Sequence, residues 1–97
     1  MAKYVTLFRF TEQGIRSVKE SPSRLKAMTK KAEAAGVRVI AAFYTQGPYD
    51  GVLISEAADE KKATALVLGN AAQGNVTTTT MRAFDVEEFE QIVKLIP

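Results

Sequence analysis

The pattern of apolar and polar residues divides the chain into four strand-like segments separated by helix-like ones. Three of the strand-like segments are rich in β-branched, aliphatic and aromatic residues, and the fourth contains a run of threonines whose branched Cβ atoms favour extended backbone. The predicted strands are Tyr4–Phe10, Val37–Tyr44, Gly51–Ala57 and Val76–Phe84. Because only Thr45–Asp50 separates the second strand from the third, these two are predicted to form a hairpin.

Capping residues and apolar spacing predict three helices in the remaining segments. The first helix begins at Ser21-Pro22, where the serine is predicted to be the N-cap and the proline the first helical residue, and it ends at Gly36. Asp59 is predicted to cap the second helix. Asp85 and Glu88 have the spacing of a capping box, which predicts the start of the third.

The order strand, helix, strand, strand, helix, strand, helix indicates the fold class. It predicts an α+β protein of the ferredoxin-like βαββαβ type with an extra C-terminal helix. The length of 97 residues predicts a single domain over residues 1–97. We expect an antiparallel sheet that carries its helices on one face.

The opposite face of this sheet is predicted to be too apolar for contact with water. In the first strand, for example, Val5 and Leu7 alternate with Tyr4 and Phe8, so neither face is polar. A second copy of the chain that covers this face would give an isologous homodimer. The alternative is a monomer that leaves an apolar sheet partly exposed.

Composition excludes several classes of function. The chain contains no cysteine and no histidine, so disulfides, thiol catalysis, imidazole chemistry and the usual zinc and haem ligands are absent. We therefore predict no metal and no cofactor. The net charge of +2 is spread along the chain, which argues against a nucleic-acid partner. Because no signal peptide and no long apolar run is present, the sequence is interpreted as that of a cytoplasmic protein without a membrane partner.

The turn between the second and third strands contains the best candidate chemistry. Tyr49 and Asp50 follow Gly47 at the start of a strand, where a phenol and a carboxylate would meet a ligand. The alternative role of Asp50 is to accept backbone N–H groups within its own turn. The full set of candidate ligand-binding residues is Tyr44, Gly47, Tyr49, Asp50, Glu56, Thr78 and Arg82. Ion pairing for the charged members and cross-strand packing for the threonine are the alternatives.

Several motifs, in order along the whole chain, resemble those of the GYD-domain family. They are Phe10–Arg16, Val18–Pro22 with Arg24, Phe43–Asp50, Glu56-Ala57 with Asp59, and Gly74–Val76 with Arg82–Phe84. One departure is Gly51, where a larger apolar residue is usual. The resemblance implies a dimeric α+β barrel and a homodimer or higher assembly, and it implies no particular activity.

A more distant similarity concerns the effector-binding domain of the leucine-responsive regulator family. It is carried by Gly47, Tyr49-Asp50, Gly74–Val76 and the threonine-rich strand. In that family the loop contributes to a small-molecule site at a subunit interface. Two functional hypotheses follow: a homo-oligomer that binds a small molecule near the Gly47–Asp50 loop and the barrel face, or a cofactor-independent monooxygenase- or isomerase-like enzyme acting on a small phenolic or lactone-like substrate.

Overall fold

The computed structural model describes residues 1–97 and contains four strands, four α-helices and one 3-10 turn. In chain order these are β1 (Ala2–Phe10), α1 (Glu12–Arg16), a 3-10 turn (Val18–Glu20), α2 (Ser21–Ala34), β2 (Val37–Tyr44), β3 (Gly51–Ala57), α3 (Glu60–Ala72), β4 (Val76–Ala83) and α4 (Val86–Val93). The four predicted strands and the three predicted helices are confirmed, each boundary within a few residues.

The strands form one antiparallel sheet in the order β2-β3-β1-β4. This order, with β1 and β3 in the centre and a helix after each of β1 and β3, is that of a ferredoxin-like fold, as predicted. Helices α2 and α3 lie on one face of the sheet, which we call the helix face. We call the other the open face.

The fully buried core is small and lies at one end of the helix face. Ala32 of α2 and Ala63 of α3 pack there against Val37 and Ala57 of the sheet. Only 10 of 97 residues are buried, and most of those with side chains are small, so the layer between helices and sheet is incompletely filled.

The start of α2 differs from the prediction. Ser21 is the first residue of the helix rather than its N-cap, and Glu20 occupies the cap position without a side-chain hydrogen bond. The Ser21 hydroxyl instead lies 2.8 Å from the hydroxyl of Tyr44, where either oxygen can donate. Ser21 therefore ties α2 to the end of β2. Asp59 does cap α3, by accepting from the N–H of Lys61, and the capping box at the start of α4 is formed.

Strand β2 does not alternate regularly along its length. The pairing register with β3 shifts by one residue between Val39 and Ala41, and after the shift Ala42 opposes Leu53 and Tyr44 opposes Gly51. The shift places Tyr44 on the same face as Phe8, and the two rings meet edge to face with centroids 6.1 Å apart. A strict alternation would place Phe43 there instead.

The open face carries a continuous apolar surface. Cross-strand pairs bring together Val5, Leu7, Ala41, Phe43, Val52, Ile54 and Met81. Phe43 is 60% exposed and Met81 44% exposed, and no element of the chain covers them.

Helix α4 extends away from the rest of the molecule. Its apolar residues, among them Val86, Phe89 and Val93, are exposed. Ion pairs hold only its first turn: Lys3 Nζ lies 3.5 Å from the Asp85 carboxylate, and the Glu88 carboxylate lies 3.6 Å from Arg82. The helix is therefore anchored at one end, with an apolar side that has no partner within the chain.

Candidate functional site

The Gly47–Asp50 loop is held against the end of β1 by hydrogen bonds. The Asp50 carboxylate accepts the backbone N–H of Phe10 at 2.8 Å, and the N–H of Asp50 donates to the carbonyl of Phe8, also at 2.8 Å. Thr45 closes the loop by donating its hydroxyl to the carbonyl of Tyr49. One carboxylate oxygen of Asp50 thus fixes the loop, and the other has no partner within the chain.

Arg9 and Tyr49 form a cationic and aromatic pair beside this loop. The Arg9 guanidinium lies 4.6 Å from the centroid of the Tyr49 ring, and its Nε donates to the carbonyl of Pro48 at 2.6 Å. Gly47 has a φ of 122°, which a residue with a side chain rarely adopts, so glycine is required for the turn. We call Arg9, Gly47, Tyr49 and Asp50 the loop cluster.

The other candidate residues lie elsewhere. Tyr44 is near the loop but faces the helices. Glu56 pairs with Arg38 at the far end of the sheet, at 3.6 Å. Arg82 also lies at that end, with its guanidinium 4.4 Å from the centroid of the Phe84 ring. Thr78 lines the space beneath the helices. The fold therefore brings Tyr49 and Asp50 together with Gly47, and separates them from Glu56 and Arg82.

At the far end of the sheet, Lys3 and Arg82 form ion pairs with Asp85 and Glu88 at the start of α4, whereas Glu56 pairs with Arg38. Hydrogen bonding from the backbone N–H of Glu88 lowers the pKa of Asp85, and the nearby Lys3 ammonium lowers it further. The shift favours the ionised carboxylate that caps the helix. No three carboxylates come together in an arrangement that could hold a metal ion.

Two adjoining cavities occupy the layer between the sheet and helices α2 and α3. The larger, of about 120 Å³, is lined mainly by apolar residues, including Val39, Leu66 and Val67. The smaller, of about 50 Å³, extends toward Ser21 and Arg24. Both are bordered by the same four residues, Met28, Leu53, Asn70 and Thr78. We call the combined space the inner chamber.

Sequence reasoning missed the inner chamber. Met28 borders both cavities, although its helical spacing along α2 favours a core position. Neither Tyr4 nor Arg24 was among the candidate ligand-binding residues, yet each has a buried polar atom with no hydrogen-bond partner. No local sequence pattern could indicate the chamber, because it depends on how far two helices stand from a sheet.

Most of the chain matches a known family of domains. The family model described as "GYD domain" matches residues 4–93, so the protein belongs to the GYD-domain family. This confirms the family suggested by the motifs. No helix in the molecule combines the length and hydrophobicity needed to cross a membrane.

Two proteins from Thermus thermophilus are similar to this chain. One, named "Glutamine synthetase and cystathionine beta-lyase binding protein", is 33% identical over 89 residues, which cover 91% of this chain and 94% of the relative. The other is the crystal structure of TTHA0845, which superposes with a TM-score of 0.56 at 20% identity, covering 89% of this chain and 96% of that one. Because the sequence identity to TTHA0845 is only 20%, that similarity shows a shared fold and nothing about function.

Proposed function

We propose that this protein is a homodimeric module that binds metabolic enzymes, and that its open face is the surface by which two copies associate. The observation that carries the proposal is the apolar open face, which a single chain leaves uncovered. Contiguous exposed apolar surface of this kind is typical of protein–protein interfaces.

The size of the exposed surface supports self-association. The accessible area is 6766 Å², whereas a compact monomer of this mass exposes about 5,500 Å². The excess of about 1,300 Å² is larger than the roughly 800 Å² that each partner contributes to a standard interface. A second copy packed on the open face, with α4 lying across it, would remove an area of this order from water.

Enzyme binding is supported by the Thermus relative, whose name states that it binds glutamine synthetase and cystathionine beta-lyase. The alignment covers 94% of the relative and 91% of this chain, so the similarity extends over nearly the full length of that protein. We therefore propose enzymes of nitrogen and sulfur amino-acid metabolism as the first partners to test.

Self-association is tested by Ile54→Glu, which places a carboxylate at the centre of the open face. Light scattering after size exclusion should give a dimer for the natural protein and a monomer for the variant. The matched control is Leu68→Glu on α3, a residue that is 64% exposed and lies off the open face. A natural protein that remains monomeric at high concentration would overturn the homodimer.

Enzyme binding is tested with purified glutamine synthetase and cystathionine beta-lyase immobilised on a biosensor surface. The natural protein should bind at least one of them, and an unrelated enzyme of similar charge should give no signal. If neither enzyme binds at about 100 μM protein, any binding free energy is weaker than roughly −5.5 kcal/mol. The proposed function is then wrong for these partners.

We propose in addition that the loop cluster and the adjoining barrel face bind a small molecule. The supporting observation is the Arg9–Tyr49 pair, which presents a cation and an aromatic ring together at one edge of the open face. A thermal-shift screen of metabolites should find a ligand whose stabilisation is lost in Tyr49→Ala, since binding to the folded state raises the melting temperature. Stabilisation that persists in Tyr49→Ala would place the ligand elsewhere.

A further inference from the structure

Two polar atoms of residues that line the inner chamber are buried and have no hydrogen-bond partner within the protein. They are the hydroxyl of Tyr4 and Nη2 of Arg24. Leaving a buried donor without a partner costs free energy, and the cost is larger when the donor is charged. Tyr4 lines the larger of the two cavities and Arg24 lines the smaller one. The chamber therefore has a cationic donor toward one end and a neutral hydroxyl toward the other.

Another nitrogen of the Arg24 guanidinium already has partners within the chain. This nitrogen, Nη1, donates to the carbonyl and the hydroxyl of Ser17, at 3.2 and 3.3 Å, and lies 3.5 Å from the Glu20 carboxylate. The Glu20 side chain is 75% exposed, so it does not bring a second charge into the chamber. These contacts position the Nη2 group, which has no acceptor within the chain and can therefore pair with an anionic group.

The walls between these two polar ends are apolar or neutral. Met28 and Leu53 border both cavities, and Leu66 and Val67 extend the apolar lining under α3. Asn70 and Thr78 add neutral hydrogen-bonding groups, and no carboxylate lines either cavity. Such a lining suits an uncharged ring or branched aliphatic body rather than a second charge.

The chamber is reached through a groove between α2 and α3. Arg24, Met28, Asn70 and Gln73 border this groove as well as the smaller cavity. Met28 is flexible and Asn70 lies in the last turns of α3, so movement of these two side chains would admit a ligand without unfolding the sheet. Entry along this path brings a carboxylate past Arg24.

We propose that the inner chamber binds a small aromatic or branched aliphatic carboxylic acid, with its carboxylate on Arg24 and a distal polar group on the Tyr4 hydroxyl. An apolar cavity of about 150 Å³ accommodates benzene, which sets the size of the ligand body here. This site lies on the opposite face of the sheet from the open face, so it goes beyond the dimer, enzyme and loop-cluster proposals.

The proposal is tested with three probes, 4-hydroxybenzoate, benzoate and benzyl alcohol, in solutions matched for ionic strength. Binding is measured by calorimetry and located by changes in amide NMR signals. We expect affinity to fall in that order, with the signals of Met28, Leu53 and Asn70 perturbed. Arg24→Met should weaken benzoate roughly tenfold and leave benzyl alcohol unchanged. The control Lys26→Gln, which removes a charge from the exposed side of the same helix, should bind as the natural protein does.

Tyr4→Phe gives an independent test that does not depend on how Arg24→Met folds. It removes only the unpaired hydroxyl, so the free protein should be as stable as before or slightly more so. It should also make 4-hydroxybenzoate bind no better than benzoate. The proposal is overturned if benzoate does not bind, if Arg24→Met binds it as tightly as the natural protein, or if the perturbed signals lie at Tyr49 and Asp50, which would support the loop cluster instead.

Discussion

At the scale of single residues, hydrogen-bond partners separate the side chains that already hold the fold from those that can meet a ligand. One oxygen of the Asp50 carboxylate is used by the Phe10 N–H, and the Tyr44 hydroxyl is used by Ser21. Tyr4 and Arg24 retain free donors. A residue such as Asp50 therefore affects stability whether or not a ligand binds beside it, and experiments on the loop must separate the two effects.

Asp50→Ala should lower the stability of the free protein. The change leaves the partly buried N–H of Phe10 without an acceptor, which costs about 1 to 3 kcal/mol. Asp50→Asn retains an acceptor oxygen and should cost less. Urea denaturation monitored by circular dichroism measures both, with Glu90→Ala on the exposed side of α4 as the control. An unchanged midpoint for Asp50→Ala would mean that the loop does not depend on this bond.

Gly51→Ala should also destabilise the protein, for a steric reason. A Cβ atom at this position would overlap the ring of Phe8 and would lie 2.8 Å from the carbonyl oxygen of Phe43. Overpacking of this kind costs about 1 to 3 kcal/mol. Adding Phe8→Leu should restore part of the loss, because it removes one of the two clashes. If the double variant is less stable than the sum of the single changes predicts, the ring is not the obstacle.

The surroundings of Gly51 explain how this chain accommodates glycine where the family usually has a larger apolar residue. The sequence alone suggests either a loosened strand or an empty space at Gly51. In the structure the Phe8 ring occupies the space, and Gly51 is buried in a regular pairing with Tyr44. A small residue and a large ring on neighbouring strands therefore compensate for each other.

At the scale of elements, local signals were sufficient to predict the four strands and helices α2, α3 and α4, and insufficient to predict the irregularities of the sheet. The caps at Asp59 and Asp85 were predictable because each depends on residues only two or three positions away. The register shift in β2 was not predictable, because it depends on the pairing of β2 with β3. The face of the sheet on which Tyr44 lies was therefore not predictable either. Gly47, Tyr49 and Asp50 lie close together because a hairpin is a local structure. Arg9 joins them through the pairing of β1 with β3, and the chamber depends on where the helices lie.

The capping box should control the order of α4 more than the stability of the whole domain. Asp85→Ala removes the acceptor for the Glu88 N–H and so weakens the start of the helix. Because α4 extends from the body, we expect faster amide exchange over Val86–Val93 in a monomeric background such as Ile54→Glu. The melting temperature of the domain should change little. Unchanged exchange in α4 would show that the cap is dispensable.

Lowering the pH should destabilise the start of α4 by protonating the Asp85 carboxylate. The pKa of Asp85 is lowered in the folded protein from its ordinary value of 3.8, so its stabilising effect is complete above that value and is lost as the pH falls through the lower, folded value. The NMR signal of the Asp85 carboxyl group should therefore titrate below pH 3.8. In Lys3→Met, the pKa of Asp85 should move back toward 3.8, because the ammonium is one of the causes of the shift. A pKa at or above 3.8 in the natural protein would contradict the capping geometry.

At the scale of the whole molecule, a single chain is more extended than a compact protein of this length. The radius of gyration is 14.6 Å, whereas a compact chain of this length has about 12.5 Å. The molecule measures 50 by 31 by 19 Å, and α4 projects from the body at one end of the sheet. In the proposed homodimer, the exposed apolar sheet of one copy and the exposed apolar helix α4 of the other would cover each other.

This arrangement predicts that α4 stabilises the dimer and not the monomer. Phe89 is 56% exposed and Val93 47% exposed, so the double variant Phe89→Glu, Val93→Glu removes apolar contacts that only a partner can make. Its dimer dissociation constant should rise, by roughly tenfold or more for two buried side chains. For a dimer the melting temperature depends on protein concentration, and the variant should melt below the natural protein at every concentration at which the latter is dimeric. In the Ile54→Glu background, where each chain is alone, the same two changes should leave the melting temperature unaltered. A loss of stability in that background would mean that α4 packs against its own chain.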